Sequence, residues 1–188
     1  MGKDSFEHLM GMHGAPFLTG MRPAFLLSFR KDKFEDFDAM LDAYLPCLQC
    51  KGIDVKPLVE RVDYVLLLFY RREALTRTLE QPGVQNLLRQ SGYPSEGSLE
   101  DHLAELKRRL RQRLTFPHEI GLFLGYPAAD VRGFIEHHGQ DFRYCGYWKV
   151  YVNEAETRAL FDRYTSCTQE FCEQLAAGAA FPELVRAV

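Results

Sequence analysis

A chain of 188 residues with 46% hydrophobic and 26% charged residues reads as one globular domain, large enough to need no disulfide or metal staple. A net charge of −3 and a pI near 6.1 argue against a general polyanion binder, so nucleic acid is not the expected partner. The best apolar run, Val65 to Phe69, is a strand's length, far short of a membrane span.

The N-terminal stretch MGKDSFEHLM is charged and lacks an apolar signal core, which argues against export. Five cysteines is an odd number, most simply read as reduced thiols, so a cytoplasmic location is expected.

In chain order, residues 1–12 read as loosely held. Pro16 to Phe29 alternates weakly and reads as a strand bent at Gly20 and Pro23. Asp32 with Glu35 suggests a capping box for a helix whose apolar face is Phe34, Phe37, Met40, Leu41, Tyr44 and Leu45. Pro46 is expected to end or kink that helix, and Gly52 to close the segment.

Val62 to Tyr70 is a near-continuous apolar run, as expected for a strand covered on both faces. Short helices follow over Arg71 to Leu79 and Gly83 to Gln90, the second ending at the turn Ser91-Gly92-Tyr93-Pro94. Ser98 and Asp101 open a further helix with Leu99, Leu103, Leu106 and Leu110 inward. Its acids lie early and its bases late, in keeping with the helix dipole.

A strand is expected from His118 to Leu124, then a helix begun at Pro127, faced inward by Val131, Phe134 and Ile135, and capped by Gly139. The strand Gly146 to Val152 follows. Asn153 and Glu156 begin a last long helix with the stripe Leu160, Tyr164, Cys167, Phe171 and Leu175, stopped at Gly178. The segments YVLLLFYRREAL, EIGLFLGYPAADV and GYWKVYVNEAETRALF thus share a strand, short loop and helix plan. The expected fold is a single α/β or α+β domain, residues 1–188, with a mixed sheet of about four or five strands and helices packed against it.

The strings LTFPHEIGLFLGYPAADVRGFIE and CGYWKVYVNEAETRALFDRYTSC resemble a bacterial family of unknown function. It is marked by an FPHEIG-FLGYP-DV-GFI block followed by a G-WKVY block. The likeness extends to HGAPFLTGMRPAFLLSF, LLFYRREAL and the SGYP turn, so it covers nearly the whole chain. It implies no particular chemistry. Arg22 stands where the family pattern leads one to expect a lysine, so no Schiff-base role is carried over to it.

The rare residues of Phe116 to Tyr151 cluster at expected strand ends, where α/β folds place their sites. The leading expectation is therefore a metal, haem or other small cofactor bound near His118 and Cys145. Tyr147 and Lys149 lie on the expected wet face of their strand, and Gly125 and Tyr126 in a tight loop. His118 and Cys145 are the candidate metal ligands; His118 is equally readable as a histidine hydrogen-bonded at a strand edge. Alternation puts Trp148 with Val150 and Val152 on the core face of the same strand.

An interaction or regulatory module with a protein partner is the alternative, and a thiol-redox protein using Cys47 and Cys50 the third reading. Against the redox reading, that CxxC follows a helix end instead of opening a helix. Cys167 and Cys172 stand roughly 140° apart on a helix, too far to grip one ion alone. The basic run Lys107 to Arg113 reads as a solvated helix face, and His137-His138 as a solvated pair.

Overall fold

The computed structural model describes residues 3–112 and 116–187. In chain order it runs α1 (Lys3–Leu18), β1 (Ala24–Arg30), α2 (Phe37–Cys50), β2 (Asp54–Glu60) and β3 (Tyr64–Tyr70). Next come α3 (Arg72–Leu79), α4 (Pro82–Gln90), α5 (Leu99–Gln112), α6 (Ile120–Phe123) and α7 (Ala128–Glu136). The chain closes with β4 (Tyr144–Cys145), β5 (Lys149–Val150), α8 (Glu154–Ala176) and α9 (Phe181–Leu184). Helix and strand are mixed, as the sequence predicts. Contacts group the chain into two compact units, Met1–Arg72 with Tyr164–Val188, and Glu73–Arg163.

In the first unit β3 is the centre of an antiparallel sheet ordered β1-β3-β2. Period-two alternation sends Phe25 and Phe29 of β1 to the same face as Val65, Leu67 and Phe69 of β3. Phe6, Met10 and Phe17 from α1, Tyr44 and Leu48 from α2, and Phe171 and Phe181 complete that core. The rings of Phe25 and Phe69 stack 4.8 Å apart, and Phe6 meets Tyr44 at 4.4 Å. Buried Arg71 donates to three carbonyl oxygens, those of Lys51 at 2.5 Å, Arg186 at 2.6 Å and Leu18 at 3.4 Å.

Three expectations for this unit are corrected. Residues 6–12 are not loose but part of α1, with Phe6 and Met10 fully buried. The strand expected from Pro16 begins only at Ala24, because α1 continues to Leu18. Pro46 lies inside α2 without ending it, and the helix cap is Asp36, whose carboxylate accepts from Ala39 N at 2.9 Å. Burial of Tyr44 and Leu48 on either side of Pro46 outweighs the one backbone hydrogen bond a proline removes. Strand β2, DVKPLVE, was not expected. A proline and three charges suit it to the edge position it takes.

In the second unit, α7 packs against α4, α6 and β5. The Ser98 capping box forms: Ser98 N and Oγ both donate to Asp101 Oδ2, and Asp101 N returns a bond to Ser98 Oγ. The expected strand His118 to Leu124 is instead a turn leading into the short helix α6. Gly121 N donates to His118 O, Leu122 N to Glu119 O and Leu124 N to Ile120 O, so the segment satisfies its backbone internally. A run of four buried apolar residues fits strand or helix equally well by pattern. The strand Gly146 to Val152 shrinks to β5, paired antiparallel with β4. The β3-to-α3 segment keeps the strand, loop and helix plan, and so does the last one, where the shortened β5 leads through residues 151–153 into α8; the segment from Glu119 loses its strand.

Candidate functional site

The turn after Pro117, helix α7 and the β4–β5 hairpin enclose a pocket of about 340 Å³. Its walls are mainly apolar and aromatic: Phe116, Ile120, Tyr126, Val131, Phe134 and Trp148. His118, Asp130, Cys145, Tyr147 and Lys149 add the polar groups. Of the six residues proposed from sequence, His118, Tyr126, Cys145, Tyr147 and Lys149 thus share one cavity. Gly125 does not line it. That residue ends α6 in the left-handed region (φ 78°), where Tyr126 N donates to Gly121 O and the next helix begins. The pocket is not at the ends of parallel strands: its residues come from a turn, a helix and a hairpin tip.

Asp130, which the sequence reading did not single out, organises the site. It is 2% exposed, and its Oδ2 accepts from Trp148 Nε1 at 2.8 Å. Its Oδ1 accepts from the backbone N–H of Tyr151 at 2.8 Å and of Val152 at 3.1 Å. One carboxylate on α7 therefore fixes both the indole and the backbone that follows β5. The signal was present: Asp130 lies four residues before Phe134, on the inward stripe of its helix, where an acid needs a buried partner.

Trp148 is 8% exposed and Val150 is buried, as alternation predicts. Tyr151 is buried as well and Val152 exposed, reversing the expectation there, because β5 ends at Val150 and the chain turns through Asn153 (φ 51°). The Trp148 indole stacks on Tyr126 at 4.7 Å and meets the Phe161 ring edge-on at 4.5 Å. Gly146 permits this packing, since a Cβ there would overlap the Phe161 ring.

His118 and Glu119 diverge, as expected of neighbours, although from a turn and not from a strand. Exposed His118 lies against the Phe134 ring at 4.8 Å. Glu119 is buried and accepts from Arg109 Nη1 at 3.0 Å. Arg109 also donates to Glu105 at 2.6 Å and stands 4.3 Å from the centre of the Tyr93 ring. The basic run is therefore not simply a solvated face. Arg109 is a buried strut, while exposed Arg108 pairs with Glu105 on the same helix. Arg113 lies outside the described residues.

The Lys149 ammonium donates to Gly139 O at 2.6 Å and sits over the rings of Phe142 and Phe134, at 4.7 and 5.7 Å. Cys145 is exposed at the pocket wall. His118 and Cys145 are two potential metal ligands in one cavity. Among the described residues, however, no group of three or more His, Cys, Asp or Glu side chains is placed to hold a metal ion.

The other cysteines stand elsewhere. Cys47 and Cys50 occupy the last turn of α2, and burial pushes the Cys47 thiol upward, which disfavours the thiolate a redox dithiol needs. Cys167 lies 3.2 Å from Thr19 Oγ1, and burial also raises Cys172. Of the solvated histidine pair, His137 approaches Asp141 and stacks on Tyr151. A larger hollow of about 640 Å³ is lined by charges of both signs, including Arg132, Glu136, Asp141 and Arg143, with Tyr151 and His137 as its aromatic groups.

Among the described residues no helix is long and apolar enough to cross a membrane. Compared with the curated proteins and with the solved structures, the chain matches none. Residues 10–185, which include every residue of the pocket, match a family described as "Protein of unknown function (DUF3793)", and the chain belongs to that family.

Proposed function

We propose that this chain is a binding protein for a small, ring-bearing organic ligand, received in the pocket between His118 and Lys149. One observation carries the reading. Five side chains chosen from sequence for their chemistry line a single cavity with Trp148, inside walls that are mostly aromatic. Ligand sites have this make-up: apolar walls supply affinity, and a few polar groups supply orientation. The volume suits room for on the order of ten waters, the bulk of one or two fused rings with a short substituent. The Asp130 bonds hold the indole wall in place before a ligand arrives, so binding loses little free energy to ordering side chains.

An organic ligand is favoured over a metal ion because His118 and Cys145 have no third ligating side chain beside them among the described residues. The test is a thermal-shift screen of aromatic fragments, run on the natural protein and on Cys145→Phe, designed to place a ring in the cavity from an exposed position on its wall. Fragments that raise the melting temperature of the natural protein and not of the variant support the reading. No hit, or hits that stabilise both proteins equally, would overturn it.

A further inference from the structure

Resting on the reading above, we propose that the ligand of this pocket is an aromatic anion whose acidic group is received by Lys149. The ammonium of Lys149 is half-buried in an apolar wall. None of the described acids forms an ion pair with it. The acid among the pocket's lining residues, Asp130, is committed to the Trp148 indole and two backbone N–H groups. A cation drawn out of water without an anion is costly. Here the faces of Phe134 and Phe142 offset part of that cost.

An ammonium has three donors, and among the described residues one is used, toward Gly139 O at 2.6 Å. The remaining donors are available to a ligand oxygen. His118 contacts the same Phe134 ring from the turn after Pro117, so two nitrogen bases flank one ring. The pocket therefore carries its nitrogen groups around Phe134 and its aromatic faces at Tyr126 and Trp148, the Asp130 carboxylate there being taken up by the indole and two backbone N–H groups. A flat molecule with an acidic group at one end matches both parts. Its ring lies against the indole, and its carboxylate takes charge-assisted hydrogen bonds from Lys149.

The experiment is calorimetric titration at neutral pH with a matched pair of probes, naphthoate and naphthamide. They share the bicyclic ring and differ in charge. The natural protein is expected to bind naphthoate about tenfold more tightly than naphthamide, the scale of one charge-assisted contact. Lys149→Gln, which keeps a donor for Gly139 O, is expected to remove that preference and leave naphthamide binding within about twofold. Lys149→Arg should restore it.

If both probes bind the natural protein equally, or Lys149→Gln keeps the preference, the anion assignment is overturned while the pocket stands. If neither probe binds the natural protein, the pocket reading and the anion assignment fall together. Unfolding of each variant by urea, monitored through Trp148, shows whether a lost response reflects lost folding.

Discussion

Trp148 Nε1 donates to Asp130 Oδ2 at 2.8 Å, joining the tip of a hairpin to a helix eighteen residues earlier in the chain. Both groups are buried, and the same carboxylate holds two backbone N–H groups beyond β5. Asp130→Asn keeps the shape but presents an amide NH₂ where an acceptor stood, so at least one buried N–H loses its partner. The expected loss is about 1–3 kcal/mol of stability, read from urea unfolding. Unchanged stability would show that the carboxylate does not fasten the hairpin.

Trp148→Ala removes the wall shared with Tyr126 and Phe161 and is expected to cost about 3–5 kcal/mol, as large-to-small aromatic changes in cores do. As the only tryptophan it reports on itself. At 8% exposure its native emission is expected to be blue-shifted and resistant to iodide. Strong quenching with red-shifted emission would reverse the assignment.

Gly146→Ala tests how closely the hairpin turn lies on α8. A methyl there would sit 2.5 Å from Phe161 Cε2. An overpacking cost of roughly 1–3 kcal/mol is expected. Adding Phe161→Leu should return part of it, and a double-mutant cycle with no coupling would contradict the contact.

The Arg109–Glu119 pair is buried on both sides, at 5% and 4% exposure. Removing Arg109 takes a charged partner from buried Glu119 and from Glu105, so Arg109→Met is expected to cost about 3–5 kcal/mol. Arg109→Met with Glu119→Gln should be less destabilised than the sum of the single changes. Strict additivity in urea unfolding would show that the two do not interact.

Acid stability follows from Glu105. Hydrogen bonds from Arg108, with Arg109 beside it, hold its carboxyl down to about 2 from an ordinary 4.5. The unfolded chain therefore takes up this proton at higher pH than the folded one. The stabilisation is complete above about 4.5 and is lost as pH falls toward 2. Glu105→Gln is expected to flatten the decline in that window and to lower stability near neutral pH. Parallel curves for the two proteins would remove Glu105 from the account.

The parts of this fold that the sequence disclosed are those in which local chemistry and tertiary packing agree. The run Tyr64–Tyr70 is apolar because β3 is the central strand, and Ser98 with Asp101 caps a helix whose charges follow its dipole. Helix α1 was hidden because two glycines, a proline and two histidines give it weak local preference. Phe6, Met10 and Phe17 recover it only through burial against the sheet. The segment from Ile120 was hidden because a short, fully buried apolar run carries no period.

The site followed the same rule. His118, Cys145, Tyr147 and Lys149 stood out as polar or reactive residues among apolar neighbours, and they meet in one pocket. Asp130 escaped notice because an acid in a first helical turn already has a local explanation. Its three partners come from residues 148–152, a distance no local pattern spans.

The most direct measurement of the binding claim uses the single indole of the chain. Its Nε1–H gives one isolated signal in a proton–nitrogen correlation spectrum, and it belongs to the pocket wall. Titration with pools of small aromatic acids is expected to move that signal, together with amides of residues 118–149, in a saturable way that Cys145→Phe abolishes. An indole signal that stays fixed throughout, or moves equally in the blocked variant, would contradict a ligand pocket at this place.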